Sequence, residues 1–166
     1  MLNAKNEALH AELDERFLTM MEDLTALAFK AAYTKWQRLI GQVKGHMAYE
    51  EDVLLPLFLE KKLDETTGLE LGKTGQLVHG DHVILLRTEN AIEEAFHTLL
   101  PLEKEPSGRR NMLHQLDTFM RWARVMEHHT DRETHTFYSL FDKDLPESEL
   151  QHHVGKLQSA TAGDNT

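Results

Sequence analysis

Residues 45–58 read GHMAYEEDVLLPLF, and this stretch decides the predicted fold. It places His46 and Glu50 four residues apart, which is about one turn of an α-helix, and follows them with apolar residues and a proline. A weaker copy, HTDRETHTFYSLF, begins at His129 and repeats the spacing with Glu133. Each copy offers one imidazole and one carboxylate on one helix face. The repeat favours a helical protein that holds metal ions between the two copies.

Composition restricts the class of protein. The 166 residues suit one domain with a sound core, and 40% hydrophobic with 28% charged residues is ordinary for a soluble globular chain. The net charge of −10 disfavours nucleic acids and anionic membranes as partners, because both are bound through clustered cations. Cysteine is absent, which excludes disulfides, thiolate chemistry, iron–sulfur clusters and cysteine-type zinc sites.

The expected location is the cytoplasm. The opening residues, MLNAKNE, lack the charged region and apolar stretch of a signal peptide. No window approaches the ~20 apolar residues that a membrane span requires. A chain without cysteine also suits a reducing compartment.

Apolar residues recur at helical spacing in four long segments. The predicted helices cover approximately residues 6–25, 29–62, 81–100 and 111–141. They are separated by a turn at about residues 24–28, a glycine-rich loop at 64–80, and a turn with two prolines at 101–110. Four helices with three connections predict an all-α fold, an up-down-up-down four-helix bundle with a metal site in its core.

The end of the chain is predicted to lie outside this bundle. Pro146 breaks the fourth helix, so the bundle domain is expected to cover residues 1–145. Residues 146–166 are predicted as a short helix followed by a small, polar and disordered tail. His152 and His153 have no carboxylate partner in the sequence pattern and are predicted to lie on the surface.

Four histidines interrupt the apolar helix faces at one level of the bundle. His82 and His129 are each about 19 residues from the turn that joins their helices, or roughly 28 Å at 1.5 Å per residue. His10 and His46 are each roughly 26 Å from the first turn by the same measure. The two carboxylates follow their histidines by one turn on the same faces. The sequence therefore predicts a layer of four inward imidazoles and two inward carboxylates.

This set of donors fits two metal ions better than one. A single zinc ion needs only about four ligands, whereas six nitrogen and oxygen donors suit two octahedral ions that keep open positions. We expect iron first and manganese second, with zinc as an opportunistic occupant. The alternative is a buried histidine–glutamate layer that serves packing alone.

The pattern His…HisxxxGlu…His…HisxxxGlu, with an apolar run after each HisxxxGlu, resembles the hemerythrin-like (HHE cation-binding) family. The resemblance covers roughly residues 5–142, and its most specific part is HMAYEEDVLLP at residues 46–56. It implies a four-helix bundle with two non-haem iron ions, bridged by two carboxylates and an oxo or hydroxo group. The ligands that it implies are His10, His46, Glu50, His82, His129, Glu133 and, if the third helix starts early, His79.

Two departures from the family pattern leave alternatives open. Oxygen-carrying members have a HisxxxHis pair in the third helix and an aspartate as second bridge. In this chain His79 and His82 are three residues apart, and the second bridge is Glu133. With His79 the histidine ligands number five, as in the carriers; without it one ion keeps an extra open position, as in sensing and redox members. Asp81 could instead cap the third helix and leave His79 in the loop.

Three classes of function remain open. The first is a binding module for oxygen, nitric oxide or peroxide that serves sensing, storage or a redox response. The second is an enzyme that uses the same irons for redox chemistry on peroxide or nitric oxide. The third is a zinc-filled or metal-free helical interaction protein. A binding or sensing protein is favoured over a classical enzyme, because no nucleophile–base pair is visible. A homodimer stays open as an alternative.

Overall fold

The computed structural model describes residues 1–63 and 73–161, without the side chains of residues 73 and 161. These residues contain helices and turns and no strand, so the prediction of an all-α fold is confirmed. The helices are α1 (Leu2–Thr25), α2 (Phe29–Tyr49), α3 (Leu55–Glu60), α4 (Lys73–Leu99), α5 (Gly108–Arg132), α6 (Tyr138–Asp144) and α7 (Glu147–Thr161).

Two π-helical segments continue the helices just after the histidines of the repeat. The first π-turn, Glu50–Leu54, joins α2 to α3, and the second π-turn, Glu133–Phe137, joins α5 to α6. Each begins at the glutamate of a HisxxxGlu pair, so the two copies match in backbone as well as in sequence. Because a π-turn does not interrupt the helix, the described residues form five continuous helical bodies.

Helices α1, α2, α4 and α5 form a closed ring. Helix α1 packs on α2, α2 on α4, α4 on α5, and α5 on α1. The larger apolar cluster inside the ring contains Trp36, Phe119 and Trp122, and lies toward the α1–α2 and α4–α5 turns. A second cluster, with Phe58 and Phe137, lies toward the opposite end. Along the chain, each HisxxxGlu pair lies between residues of the larger cluster and residues of the second cluster. A polar layer therefore separates the two clusters.

The prediction that the third helix begins near Asp81 is wrong, because α4 begins at Lys73. Of the predicted loop at 64–80, residues 64–72 lie outside the described residues, and 73–80 are helical. Tertiary packing overrides the low helix propensity of glycine there. Val78 is fully buried, and a Cβ on Gly75 would press against the Leu55 side chain at 3.2 Å.

The π-turns also change which residues are buried beyond the glutamates. A continuous α-helical pattern predicts that Leu54 and Leu57 point inward. The structure buries Leu54, Leu55 and Phe58, and leaves Leu57 only half-buried. The extra residue of the π-turn rotates the following helix relative to the preceding one, which accounts for this shift.

Helix α7 is longer and better packed than the sequence predicts. It continues to Thr161, and the part of the predicted tail at 162–166 lies outside the described residues. Leu150, His153 and Leu157 are buried, at helical spacing, where α7 packs on α2. The prediction that His153 lies on the surface is therefore wrong. Its Nδ1 lies 2.8 Å from the Tyr49 hydroxyl, and burial lowers its pKa.

Among residues 1–63 and 73–161, no helix combines the length and the apolar character needed to cross a bilayer.

The contact between α2 and α7 predicts opposite effects for two glycines one turn apart. A Cβ added at Gly41 would meet no atom within 4 Å, whereas one at Gly45 would collide with the carbonyl of Ala160. Alanine is favoured over glycine inside a helix by about 0.5–1 kcal/mol, so Gly41→Ala should raise the free energy of unfolding by about that amount. Gly45→Ala should lower it, because α7 must move away from α2.

Chemical denaturation of the two variants measures this difference, with Gly41→Ala as the matched control. An equal gain in stability from both substitutions would show that the last turn of α7 does not pack closely on α2.

Candidate metal centre

Six polar side chains fill the layer between the two apolar clusters. Each is at most 4% exposed: His10, His46, Glu50, His82, His129 and Glu133. The histidines come from four helices, and each glutamate is the first residue of a π-turn. The structure thus brings together six of the seven side chains that the sequence singles out as candidate ligands.

The four imidazoles form two pairs. The ring centroids of His10 and His46 are 5.0 Å apart, and their Nε2 atoms are 3.0 Å apart. The ring centroids of His82 and His129 are 4.9 Å apart. In all four rings it is Nε2 that approaches a carboxylate at the centre of the layer.

The Glu133 carboxylate directs one oxygen to each pair. Its Oε2 lies 3.0 Å from His10 Nε2 and 3.5 Å from His46 Nε2. Its Oε1 lies 2.8 Å from His129 Nε2 and 3.9 Å from His82 Nε2. Glu133 therefore spans the gap between the two histidine pairs.

Glu50 repeats this arrangement from the opposite copy. Its Oε1 lies 3.4 Å from His46 Nε2, and its Oε2 lies 3.1 Å from His82 Nε2. We refer below to the His10/His46 half, with Glu50 Oε1 and Glu133 Oε2, and to the His82/His129 half, with Glu50 Oε2 and Glu133 Oε1. Each half contains two imidazole nitrogens and two carboxylate oxygens.

These distances suit ligands of a shared cation. Metal bonds of ~2.0–2.2 Å place neighbouring ligand atoms of one ion about 3 Å apart. Although His129 Nε2 and Glu133 Oε1 are 2.8 Å apart, neither atom has a hydrogen-bond partner, so their closeness is not that of a donor and an acceptor. Two overlapping groups, each with its ligand atoms within 4.8 Å of one another, could hold a metal ion: His10, His46, His129 and Glu133; and Glu50, His82, His129 and Glu133.

The outer ring nitrogens of three histidines face polar groups. His82 Nδ1 lies 2.6 Å from Glu51 Oε1, although helical periodicity alone would assign Glu51 to a solvated face. His10 Nδ1 lies at hydrogen-bond distance from the Thr130 hydroxyl. His129 Nδ1 lies 3.9 Å from a carboxylate oxygen of Asp81, which forms an ion pair with Arg132. Asp81 is thus a neighbour of the layer rather than a helix cap.

Each central carboxylate also accepts a hydrogen bond from a neutral donor. The Tyr138 hydroxyl donates to Glu50 Oε1 at 2.7 Å, and Asn6 Nδ2 donates to Glu133 Oε2 at 3.2 Å. Tyr138 is five residues beyond Glu133, which on an ordinary α-helix would place it roughly 140° away. The second π-turn closes over five residues and brings it onto the inward face. The sequence contains no spacing signal for this contact.

His79 lies outside the buried layer. Helix α4 does start early enough to include it, but its side chain is 61% exposed, and its Nδ1 lies 3.0 Å from Glu51 Oε1. His128 and His135 are also exposed.

The charged groups of the layer shift one another's pKa values when no metal is bound. Burial alone would raise the pKa of Glu133, but the charge of His129 and polar contacts with His10 and His129 hold that pKa well below its usual value. Burial alone would lower the pKa of His82, but polar contacts with Glu133 and Glu50 raise it to about 10. Burial and the charge of Glu50 raise the pKa of Tyr138, which keeps the phenol protonated.

Comparisons with protein-family models, with curated proteins and with solved structures found no match to this chain. The chemistry of the polar layer is therefore inferred from its side chains. Imidazole nitrogens and carboxylate oxygens without sulfur are donors typical of iron, manganese and zinc sites.

Metal binding should release protons at neutral pH. Because the pKa of His82 is about 10 in the metal-free protein, its ring carries a proton below that pH, and an ion that takes Nε2 must displace a proton from the buried network. Metal affinity should accordingly rise as the pH increases toward that pKa. The number of protons released is measured by titrating metal-free protein with Zn²⁺ in a weakly buffered solution that contains a pH indicator. His135→Ala serves as the control, because His135 is an exposed histidine outside the layer. Metal binding at neutral pH without proton release would contradict this reading of His82.

Proposed function

We propose that this chain is a hemerythrin-type, non-haem di-iron protein built as a four-helix bundle from the ring of α1, α2, α4 and α5. In this proposal it binds oxygen, or a related small molecule such as nitric oxide or peroxide, for sensing, storage or a redox response. The observation that supports it most is the placement of Glu50 and Glu133. Each directs one oxygen to each histidine pair, as expected for carboxylates that bridge two ions.

A layer that served packing alone would not need this arrangement. A buried carboxylate is stabilised by any nearby donor, whereas here two fully buried carboxylates share four imidazoles that are each at most 4% exposed. Several central atoms also lack hydrogen-bond partners, including Glu133 Oε1 and His129 Nε2. Unpaired buried polar atoms are costly, and divalent cations would satisfy them.

The count of donors supports two ions with free positions. Each half offers two nitrogens and two oxygens, which is fewer than an octahedral ion accepts. Two ferrous ions in these halves would supply reversible binding, or reduction, of a small ligand. The chain itself would exclude water through the apolar residues next to the layer. Leu13, Val43, Met126 and Phe137 are all buried, and a dry pocket disfavours proton-coupled loss of a bound oxygen species.

One observation favours the second candidate, a redox enzyme acting on peroxide or nitric oxide. The protonated phenol of Tyr138 lies within the buried layer, where its hydroxyl donates to Glu50. A polar donor beside the site can supply a proton or hold a reacting group, which favours turnover over reversible binding. The two candidates share the same metal centre, and they differ in whether the bound ligand is released unchanged or reduced.

Metal content tests the assignment of the ligands. In protein purified from iron-supplied cells we expect two irons per chain in the wild type. Glu133→Ala should lose most of the iron, because Glu133 directs one oxygen to each half, and His46→Ala should lose at least the ion of the His10/His46 half, because it removes a donor that no neighbour replaces. His135→Ala should retain it, since this side chain is exposed and bonds only within its own helix.

Equal metal content in the three variants would refute the ligand assignment. If the wild type held less than one metal per chain, and reconstitution did not raise that content, the remaining class of function would be a helical interaction protein.

Loss of metal should also lower the melting temperature, because it leaves buried polar groups unpaired. If the metal-free His46→Ala variant melted at a higher temperature than the metal-bound wild type, the expected link between metal binding and thermal stability would be contradicted.

Stopped-flow mixing of the ferrous protein with oxygen separates the two candidate functions. A stable and reversible change in absorption is expected for a binding or sensing protein. Prompt oxidation with repeated turnover would favour the enzyme, and Tyr138→Phe should then slow the turnover while leaving the metal content unchanged.

A further inference from the structure

The two halves of the layer have the same inner donors but different surroundings. Each half presents two Nε2 atoms and one oxygen from each glutamate. The groups that contact these donors from outside are not repeated between the halves. Such outer contacts tune the affinity of a metal site, and their loss typically costs about 10- to 100-fold in metal binding.

In the His82/His129 half, the outer nitrogens face carboxylates. His82 Nδ1 lies 2.6 Å from Glu51 Oε1, within hydrogen-bond distance. His129 Nδ1 lies 3.9 Å from Asp81 Oδ2, which is too far for a hydrogen bond, and it has no hydrogen-bond partner among the described residues. A carboxylate beside Nδ1 keeps a proton on that nitrogen, so that Nε2 is the ring nitrogen that gives up its proton and binds a cation. It also makes the imidazole a stronger donor to a cation. The His82 ring is thus held ready for metal by a direct contact, and the charge of Asp81 acts on the His129 ring from a longer distance.

In the His10/His46 half, the outer nitrogens have weaker support. His10 Nδ1 meets only the neutral Thr130 hydroxyl. His46 Nδ1 is buried without a hydrogen-bond partner among the described residues. Neither ring of this half has a carboxylate beside its outer nitrogen in residues 1–63 and 73–161.

The carboxylate oxygens follow the same division. The two oxygens of the His10/His46 half are those that accept hydrogen bonds from neutral donors outside the layer, Glu50 Oε1 from Tyr138 and Glu133 Oε2 from Asn6. A hydrogen bond to a carboxylate oxygen stabilises its negative charge and makes that oxygen a weaker donor to another cation. The oxygens that face the His82/His129 half receive no such bond from a neutral donor in the described chain.

The imbalance originates in the sequence difference between the two copies. Each π-turn brings the residue five places beyond its glutamate onto the inward face. That residue is Tyr138 after Glu133 but Leu55 after Glu50. Only one copy therefore supplies a hydroxyl, and its bond crosses to the glutamate of the other copy.

We propose that the two halves fill in order, with the first metal ion in the His82/His129 half and a second, more weakly held ion in the His10/His46 half. This inference rests on the proposed function. The second ion is then the one that is lost when metal is scarce. Binding of a small ligand that needs both ions becomes dependent on the metal supply.

Histidine ring resonances test the order directly. Zn²⁺ is a suitable probe because it is diamagnetic, and the ring nitrogen shifts of each histidine report coordination. With one equivalent of Zn²⁺ added to the metal-free full chain, the rings of His82 and His129 should show coordination shifts before those of His10 and His46. Prior shifts of His10 and His46, or simultaneous shifts of all four rings, would overturn the order.

Two neighbouring carboxylates provide a matched pair of variants. Glu51→Gln removes the partner of His82 and should weaken the first binding step by about 10- to 100-fold in a competition titration. Asp52→Asn removes the same charge one residue later, at an exposed position, and should leave that step unchanged. Equal effects of the two substitutions would overturn the role of Glu51, and circular dichroism verifies that both variants fold.

The outcomes separate this inference from the proposed function. If wild-type protein binds two ions with one common affinity, ordered filling is refuted while the two-metal centre stands. If the folded wild type binds no ion at any concentration used, both are refuted.

Discussion

Two carboxylates enclosed in the interior, with none of their surface exposed, are the constraint on which this structure depends. Negative charge removed from water must be matched by positive charge or by donors. Four helices each contribute one imidazole at the same level, and the apolar clusters above and below keep the layer dry. The outer contacts of Glu51, Thr130, Tyr138 and Asn6 then hold the inner groups in place. The closed ring of helices is the scaffold that makes one layer from residues distant in sequence.

Much of this layer could be predicted from sequence, because helical periodicity and distance from a turn are properties of the regular helix. The inward position of His10, His46, His82 and His129 follows from those rules alone. The start of α4 could not be predicted, since glycines near its first turns favour a loop, and tertiary contacts such as that of Gly75 with Leu55 of α3 stabilise the helix there. Burial of Val78 outweighs that local preference.

The contacts that the layer makes with residues outside it could not be predicted from the sequence, for a different reason. Glu51 follows Glu50 directly and lies on a face that a helical wheel assigns to solvent, yet its side chain reaches His82 on another helix. Tyr138 is visible as a nearby phenol, but its direction depends on a π-turn that has no sequence signature. His79 shows the reverse case: its spacing from His82 is suggestive, whereas its ring remains in solvent. Spacing locates the inward polar side chains of a helical layer far better than it locates the groups that contact them from outside.

The π-turns have a consequence for how the two copies can diverge. Each contains one residue more than an α-helical turn would, and the helix beyond it is oriented accordingly. Deleting that residue would rotate α3 or α6 by roughly 100° and turn its buried side chains toward water. Side chains can therefore be exchanged, as Leu55 and Tyr138 show, but the number of residues cannot. An insertion or deletion here would be far more damaging than a substitution, so chain length is the more tightly constrained property of these segments.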